Sequence, residues 1–188
     1  MNLKDSQTRI NLMRSFAGES QARNRYTYAA EAAKSQSLHV IEAVFKFTAN
    51  QEKEHGKIFY NFLKEMTGEN ITIDGSYPVD IYDDVLKLLR SAQHNEFEEF
   101  EPVYPDFAAV ANQEGFTNIG AKFNQIAKIE RTHGDRFGMF ADLLEQGKLF
   151  VSDVEEEWMC LNCGYVHKSS EAPKSCPVCS HPQGYFVR

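Results

Sequence analysis

The stretch NQEKEHGKIF, residues 50 to 59, sets a carboxylate and an imidazole three residues apart, at Glu52 and His55. It recurs as KIERTHGDRF, residues 128 to 137, with Glu130 and His133. On a helix, positions i and i+3 share a face, so each pair can approach one point. Counting outward in alternate steps of four and three runs through Ile41, Phe45, Thr48, Glu52, His55, Phe59 and Phe62 around the first copy. Around the second it runs through Ile119, Phe123, Ile126, Glu130, His133, Phe137, Phe140 and Leu144. Each polar pair therefore lies inside an apolar stripe of the kind that turns toward a core.

Two further segments follow the same count: Leu12, Phe16, Glu19, Arg23, Tyr26, Ala30, and then Val85, Leu89, Ala92, Glu96, Glu99, Val103. The spacing predicts helices at roughly 5 to 34, 37 to 66, 79 to 113 and 116 to 146, each with acid near the middle of its inward face. Gly68 and Gly115 break the periodic runs, and the turn-rich stretch from Gly68 to Pro78 is long enough to cross the end of a bundle. Pro102 and Pro105 fall inside the third helix, which predicts a kink or π-bulge near Glu99 to Pro105. The two Glu-x-x-His segments align at an offset of 78, and adding 78 to Glu19 lands between Glu96 and Glu99. The bundle reads as a duplicated helix pair, each half supplying a Glu helix and a Glu-x-x-His helix.

Five ionised carboxylates on inward stripes would repel one another, and each loses several kcal/mol of hydration on burial. Protonation or metal must compensate. Two divalent ions bring +4 against −5, and two trivalent ions with an oxo bridge also bring +4, so a two-electron change leaves the formal charge as it was. Glu from two helices plus Glu-x-x-His from two others is the donor pattern of di-iron and di-manganese carboxylate proteins. Glu54, Glu98 and Glu101 lie off the stripes and read as surface residues, as Glu usually is. His39, His94, His167 and His181 lack such context and read as surface or structural. Tyr26 and Tyr104 read either as core aromatics or as hydrogen-bond donors to a ligating Glu.

After the acidic VSDVEEE, residues 151 to 157, composition shifts to Cys, Pro, Gly, Ser and aromatics, which marks two domains, 1–150 and 151–188. The run WMCLNCGYVHKSSEAPKSCPVCSHP holds Cys160-x-x-Cys163 and Cys176-x-x-Cys179, two knuckles that make a four-thiolate site for iron or zinc. The spacing does not choose between the metals. A one-electron iron beside a two-metal pocket makes a wire, whereas zinc would make only a staple.

The formal net charge of −7 and a pI near 5.4 argue against nucleic acid or an anionic membrane as partner. The first residues, MNLKDSQTRINLMRSF, have no signal-peptide pattern, and no window nears the ~18 apolar residues of a span, so the expected location is the cytoplasm. All four cysteines fall within residues 160 to 179, so none is left to staple the bundle.

FAGESQARNRYTY, QEKEHGK, EFEEFEPVYP and IERTH, in that order, resemble the di-iron motifs of the rubrerythrin family. CLNCGYVHKS and CPVCSHP resemble its rubredoxin-like domain, so the resemblance covers essentially the whole chain. It implies an all-α, ferritin-like four-helix bundle with a small β or irregular iron domain. It implies Glu52 and Glu130 as bridging ligands, Glu19 and Glu96 as terminal ligands, His133 on the second iron, and one iron that exchanges Glu99 for His55 with redox state. Glu99, His55, Tyr26 and Tyr104 are then the candidates for a direct part in turnover. Pro102 departs from the family pattern. The activity implied is reduction of hydrogen peroxide to water in oxidative-stress defence. Its electrons would come through the four-cysteine iron from rubredoxin or an NAD(P)H-linked reductase, in a head-to-tail homodimer. The competing expectations are a ferroxidase or iron-handling protein, and a structural zinc-binding scaffold.

Overall fold

The computed structural model describes residues 2–188, which fold into a helical bundle followed by a small antiparallel sheet. Helix α1 (Gln7–Ser35) starts at Ser6, whose side chain accepts from the Arg9 amide. Glu114, distant in the chain but at the same end of the bundle, accepts from the Gln7 and Thr8 amides at 2.8 Å. A carboxylate there suits the positive end of the helix dipole. Helix α2 (His39–Phe62) returns antiparallel after a tight turn.

The chain then runs without regular structure from Glu69 to Asp84 before α3 (Val85–Glu98). The third helix thus begins at Val85, several residues later than the periodicity predicts. The cause is tertiary: Asp80 is drawn to Arg25 and Asn95, with both donors 2.9 Å from its Oδ2. Those bonds hold residues 79–83 against α1 and α3, and Asp84 caps the helix by accepting from the Leu86 amide at 2.9 Å.

The expected disturbance at the prolines is a π-helical segment, Glu99–Val103, in which Glu101 leaves helical geometry (φ −158°, ψ 110°). Helix α4 (Tyr104–Gln113) continues from it, and α5 (Thr117–Glu145) follows a turn at Gly115, whose φ of +88° a side chain would resist. Helices α3 and α4, joined by the π segment, act as one member of a four-helix bundle.

The core has two apolar layers. One gathers Tyr26, Phe45, Leu89, Phe137 and their neighbours, and the other gathers Leu12, Phe59, Tyr104, Phe123 and theirs. Between these layers along every helix sit Glu19, Glu52, His55, Glu96, Glu130 and His133. One stripe position differs from expectation: Arg23 is exposed and Ala22 is buried in its place. The small side chain lets α1 approach its neighbour while the guanidinium keeps its water.

The tail forms strands β1 (Val151–Cys160), β2 (Val166–Glu171) and β3 (Phe186–Val187) in the order β2-β1-β3. Its core is Trp158 and Phe186 with Ala172, and the Trp158 indole donates to the Ser169 carbonyl at 2.9 Å. The tail rests on the α1–α2 turn. The Tyr185 ring stacks on His39 with centroids 4.1 Å apart, and Gly184 lies against the Ser37 carbonyl.

Candidate metal centres

Six side chains meet at the middle of the bundle. One donor atom from each of Glu19, Glu52, His55 and Glu130 lies within 4.8 Å of the others, and the same holds for Glu52, Glu96, Glu130 and His133. The sets share Glu52 and Glu130, one from each Glu-x-x-His helix. None of the six is more than 6 % exposed. Acids this deep need a partner that the chain itself does not supply.

The atoms converge with little hydrogen bonding among them, the His55 Nδ1 contact with Glu52 at 3.3 Å being the exception. His133 Nδ1 lies 2.9 Å from Glu52, 2.8 Å from Glu130 and 3.4 Å from Glu96, yet neither of its ring nitrogens has a hydrogen-bond partner. Both oxygens of Glu130 and one each of Glu19, Glu52 and Glu96 are buried and unpartnered too. Lone pairs aimed at a common point rather than along N–H directions are what metal ligation requires. His55 Nδ1 stands 3.0 Å from Glu130 and 3.9 Å from Glu19.

Two tyrosines orient the outer acids. The Tyr26 hydroxyl donates to Glu96 at 2.5 Å, and the Tyr104 hydroxyl donates to Glu19. The sequence left these rings open between core packing and ligand support, and the structure gives each ring both an apolar contact and a hydrogen bond to a buried Glu. Each ring also packs in an apolar layer, Tyr26 on Phe137 and Tyr104 on Phe59.

Without a cation, the site strains the ordinary ionisation of its groups. Burial, then the charges of Glu130, Glu52 and Glu99, hold Glu19 well above the usual carboxylate range. Burial and the Glu52 charge push Glu96 to about 8. Burial works against Glu52 as well, but His133 and His55 outweigh it and bring that carboxyl to about 2. Burial opposes charge on both imidazoles, yet the carboxylates raise His55 to about 9 and His133 to about 12.

Glu99 belongs to neither donor set. It begins the π segment, is half-buried, and lines a cleft of about 560 Å³ between α1, the 69–84 crossover and the π segment. Burial and the charges of Glu96, Glu130 and Glu52 still raise its carboxyl well above the usual range. Glu54, Glu98 and Glu101 are exposed, in agreement with their off-stripe positions. Arg25 and Asp80, which brace this region, carried no sequence signal, because their pairing spans 55 positions.

In the tail, Cys160 and Cys179 bring their sulfurs to 3.7 Å, and Cys163 and Cys176 to 3.6 Å. These separations are far too long for a disulfide. They match the roughly 3.8 Å edge of a tetrahedron with ~2.3 Å metal–sulfur bonds. The knuckles close through the Gly164 amide onto the Cys160 carbonyl at 2.8 Å and the Ser180 amide onto the Cys176 carbonyl at 2.9 Å. A backbone hydrogen bond from His181 helps bring Cys179 down to about 6, while burial and the neighbouring sulfurs push Cys163 up to about 12, so without a metal the four thiols share their protons unequally. His181 thus has a structural place beside the knuckle, and His94 is a surface residue paired with Glu98.

A family model described as Rubrerythrin matches residues 11–141, and one described as Rubrerythrin, rubredoxin-like domain, matches residues 158–187. The chain belongs to the rubrerythrin family. The rubrerythrin of Clostridium perfringens is 46% identical over 186 residues, covering 98% of this chain and 95% of that one. A solved structure of nigerythrin in a mixed-valence state is similar with a TM-score of 0.64 at 28% identity, over 97% of this chain and 89% of that one. The bacterioferritin of Desulfovibrio desulfuricans, at 21% identity and a TM-score of 0.68, shares the fold over 79% of this chain and 86% of its own. Rubrerythrin membership and the two donor sets together identify the cofactors as iron, a pair in the bundle and a single ion among the four cysteines.

Proposed function

We propose that this chain is a peroxidase that reduces hydrogen peroxide to water in defence against oxidative stress. The observation that carries this reading is the pair of overlapping, water-excluded donor sets sharing Glu52 and Glu130, in one chain with a four-thiolate site. Iron held by these two donor sets would supply electrons for cleaving an O–O bond, and iron held by the four cysteines would supply one-electron transfer.

The chain's own residues hold and protect that chemistry. Glu52 and Glu130, common to both donor sets, would hold both metals. Glu19 and Glu96 end the set, oriented by Tyr104 and Tyr26. His133 would be a standing ligand on one side, and on the other His55 and Glu99 would be alternatives. The arrangement with His55 inside the set and Glu99 toward the cleft supports that exchange. Glu99, whose carboxyl burial and the neighbouring acids raise above its usual range, stands at the cleft wall, where departing oxygens need a proton. Glu101, two residues on, leaves helical geometry, so Glu99 sits at a break in the helix.

The electron donor we propose is rubredoxin or an NAD(P)H-linked reductase, and the working form a head-to-tail homodimer in the cytoplasm. The unbridged cysteine sulfurs accord with a reducing compartment. Among the described residues, no helix is long and apolar enough to cross a membrane.

Steady-state consumption of peroxide by the iron-loaded protein with reduced rubredoxin tests the reading. Growth of an iron core without peroxide turnover supports a ferroxidase instead, and zinc at both sites without visible absorbance supports a scaffold. Glu99→Ala is expected to stay folded and slow peroxide turnover; unchanged turnover removes the exchange of Glu99 for His55. A fully active monomer removes the dimer.

A further inference from the structure

The cleft beside Glu99 is much larger than hydrogen peroxide needs. Two oxygens fill about the space of two waters, on the order of 60 Å³, whereas the cleft measures about 560 Å³. Its size lies in the range of small-molecule sites, ~300–1,000 Å³, which are mostly apolar with a few fixed polar groups. Its walls combine an apolar side with a charged rim that includes Arg14, Arg25, Asp74 and Glu98. Val103, Phe107 and the Tyr77 ring line it with apolar surface, and Glu99 and Tyr104 line the side toward the donor sets.

A second observation concerns Ser15. Its side chain lines the same cleft and is 3 % exposed, yet its hydroxyl has no hydrogen-bond partner in the protein. Helical serines ordinarily bond the carbonyl one turn back, as Ser20 does to Phe16 at 2.6 Å. A buried hydroxyl left without a partner beside a cleft is a polar group that the protein itself does not satisfy.

The roof is also held open as a shape rather than collapsed. Asp80 ties the crossover to Arg25 and Asn95, Asp74 pairs with Arg14, and the Tyr77 hydroxyl donates to the Arg14 carbonyl at 3.3 Å. These bonds keep the crossover lying across α1 with space beneath it.

We propose that this cleft is a subsite for the organic half of a hydroperoxide, so that the chain reduces compact alkyl or aryl hydroperoxides as well as hydrogen peroxide. This rests on the peroxidase reading and names a further substrate class for the same site. The substituent packs against Phe107, Val103 and Tyr77, the O–O group points toward Glu99 and Tyr104, and Ser15 binds the oxygen that leaves as alcohol. The step is ROOH + 2 e⁻ + 2 H⁺ → ROH + H₂O. The O–O bond breaks, the electrons come singly from a reduced rubredoxin-class donor, the protons come from solvent, and two O–H bonds form.

The test uses the iron-loaded full chain and 2-phenyl-2-propanol, the unreactive alcohol product of cumene hydroperoxide. Crystals soaked with this alcohol should show it in the cleft, and ligand-observed NMR should give its affinity. Ser15→Ala should weaken that affinity about 2- to 10-fold, the worth of one hydrogen bond. Val103→Trp, which fills the cleft, should abolish binding and lower kcat/KM for cumene hydroperoxide at least about tenfold relative to that for hydrogen peroxide. An empty cleft, one filled by residues of a second copy, or variants that change both peroxides equally would overturn the proposal. So would a Ser15→Ala protein with unaltered affinity and only a higher Tm. Absence of hydrogen peroxide turnover, with the alcohol bound, would instead remove the peroxidase reading.

Discussion

Each ligand candidate combines a residue type legible in sequence with a neighbour that is not. Glu19 and Glu96 stand out because an acid occupies an apolar stripe, but only the structure assigns Tyr104 to the first and Tyr26 to the second. Groups that orient a ligand typically contribute 10- to 100-fold to metal affinity. Tyr104→Phe keeps the ring packing and is expected to weaken iron binding by about that factor, read from iron retained after graded chelator challenge. The acids also make the metal-free protein sensitive to pH. Glu96 at about 8, His55 at about 9 and His133 at about 12 all bind protons more tightly folded than unfolded. Stability is therefore lost as pH rises from the unfolded carboxylate range through these values. Glu52, depressed to about 2, works the other way only below that range. The Tm of metal-free protein should fall steadily between about pH 5 and pH 9, and iron loading should flatten the slope. A rise over that interval would contradict the burial of these groups as neutral acids and charged imidazoles.

Among the elements, the Glu-x-x-His helices were the most legible, because their period is a local property that burial confirms position by position. The third member was the least, since its start depends on Asp80 finding Arg25 rather than on its own residues. Close approach of α3 to α5 is another feature no periodicity reports. A methyl group on Gly134 would lie 2.6 Å from the Phe97 ring, so the ring sits where a side chain would be. Gly134→Ala gains up to ~1 kcal/mol of helix propensity. It should lose about 1–3 kcal/mol to overpacking. The expected net result is a Tm lower by a few degrees, at about 2–4 °C per kcal/mol for a chain of this length. A raised Tm would show that Phe97 yields freely.

At the scale of the whole molecule, the tail is docked as well as tethered. Tyr185 stacks on His39, which the sequence marked only as surface or structural, and His39 in turn pairs with Glu42 at 2.8 Å. A Cβ on Gly184 would stand 1.8 Å from the Ser37 carbonyl oxygen, a backbone atom that cannot rotate away. Gly184→Ala should therefore lift the tail from the α1–α2 turn while helix content and iron–thiolate absorbance persist. Faster amide exchange at residues 37–39 would report it, and unchanged exchange there would show that the two parts shift together.

The sequence by itself determined the donor types, the four inward stripes and the two cysteine knuckles. Each is set by spacing within one helix or one turn, where covalent geometry dictates which side chains share a face. Tertiary structure alone decided that Glu52 and Glu130 are common to both donor sets while Glu99 faces a cleft. It also decided that the crossover is pinned through Asp80, and that the tail leans on the turn before α2. These depend on distances between elements far apart in the chain, which packing and charge settle only when the whole molecule is assembled.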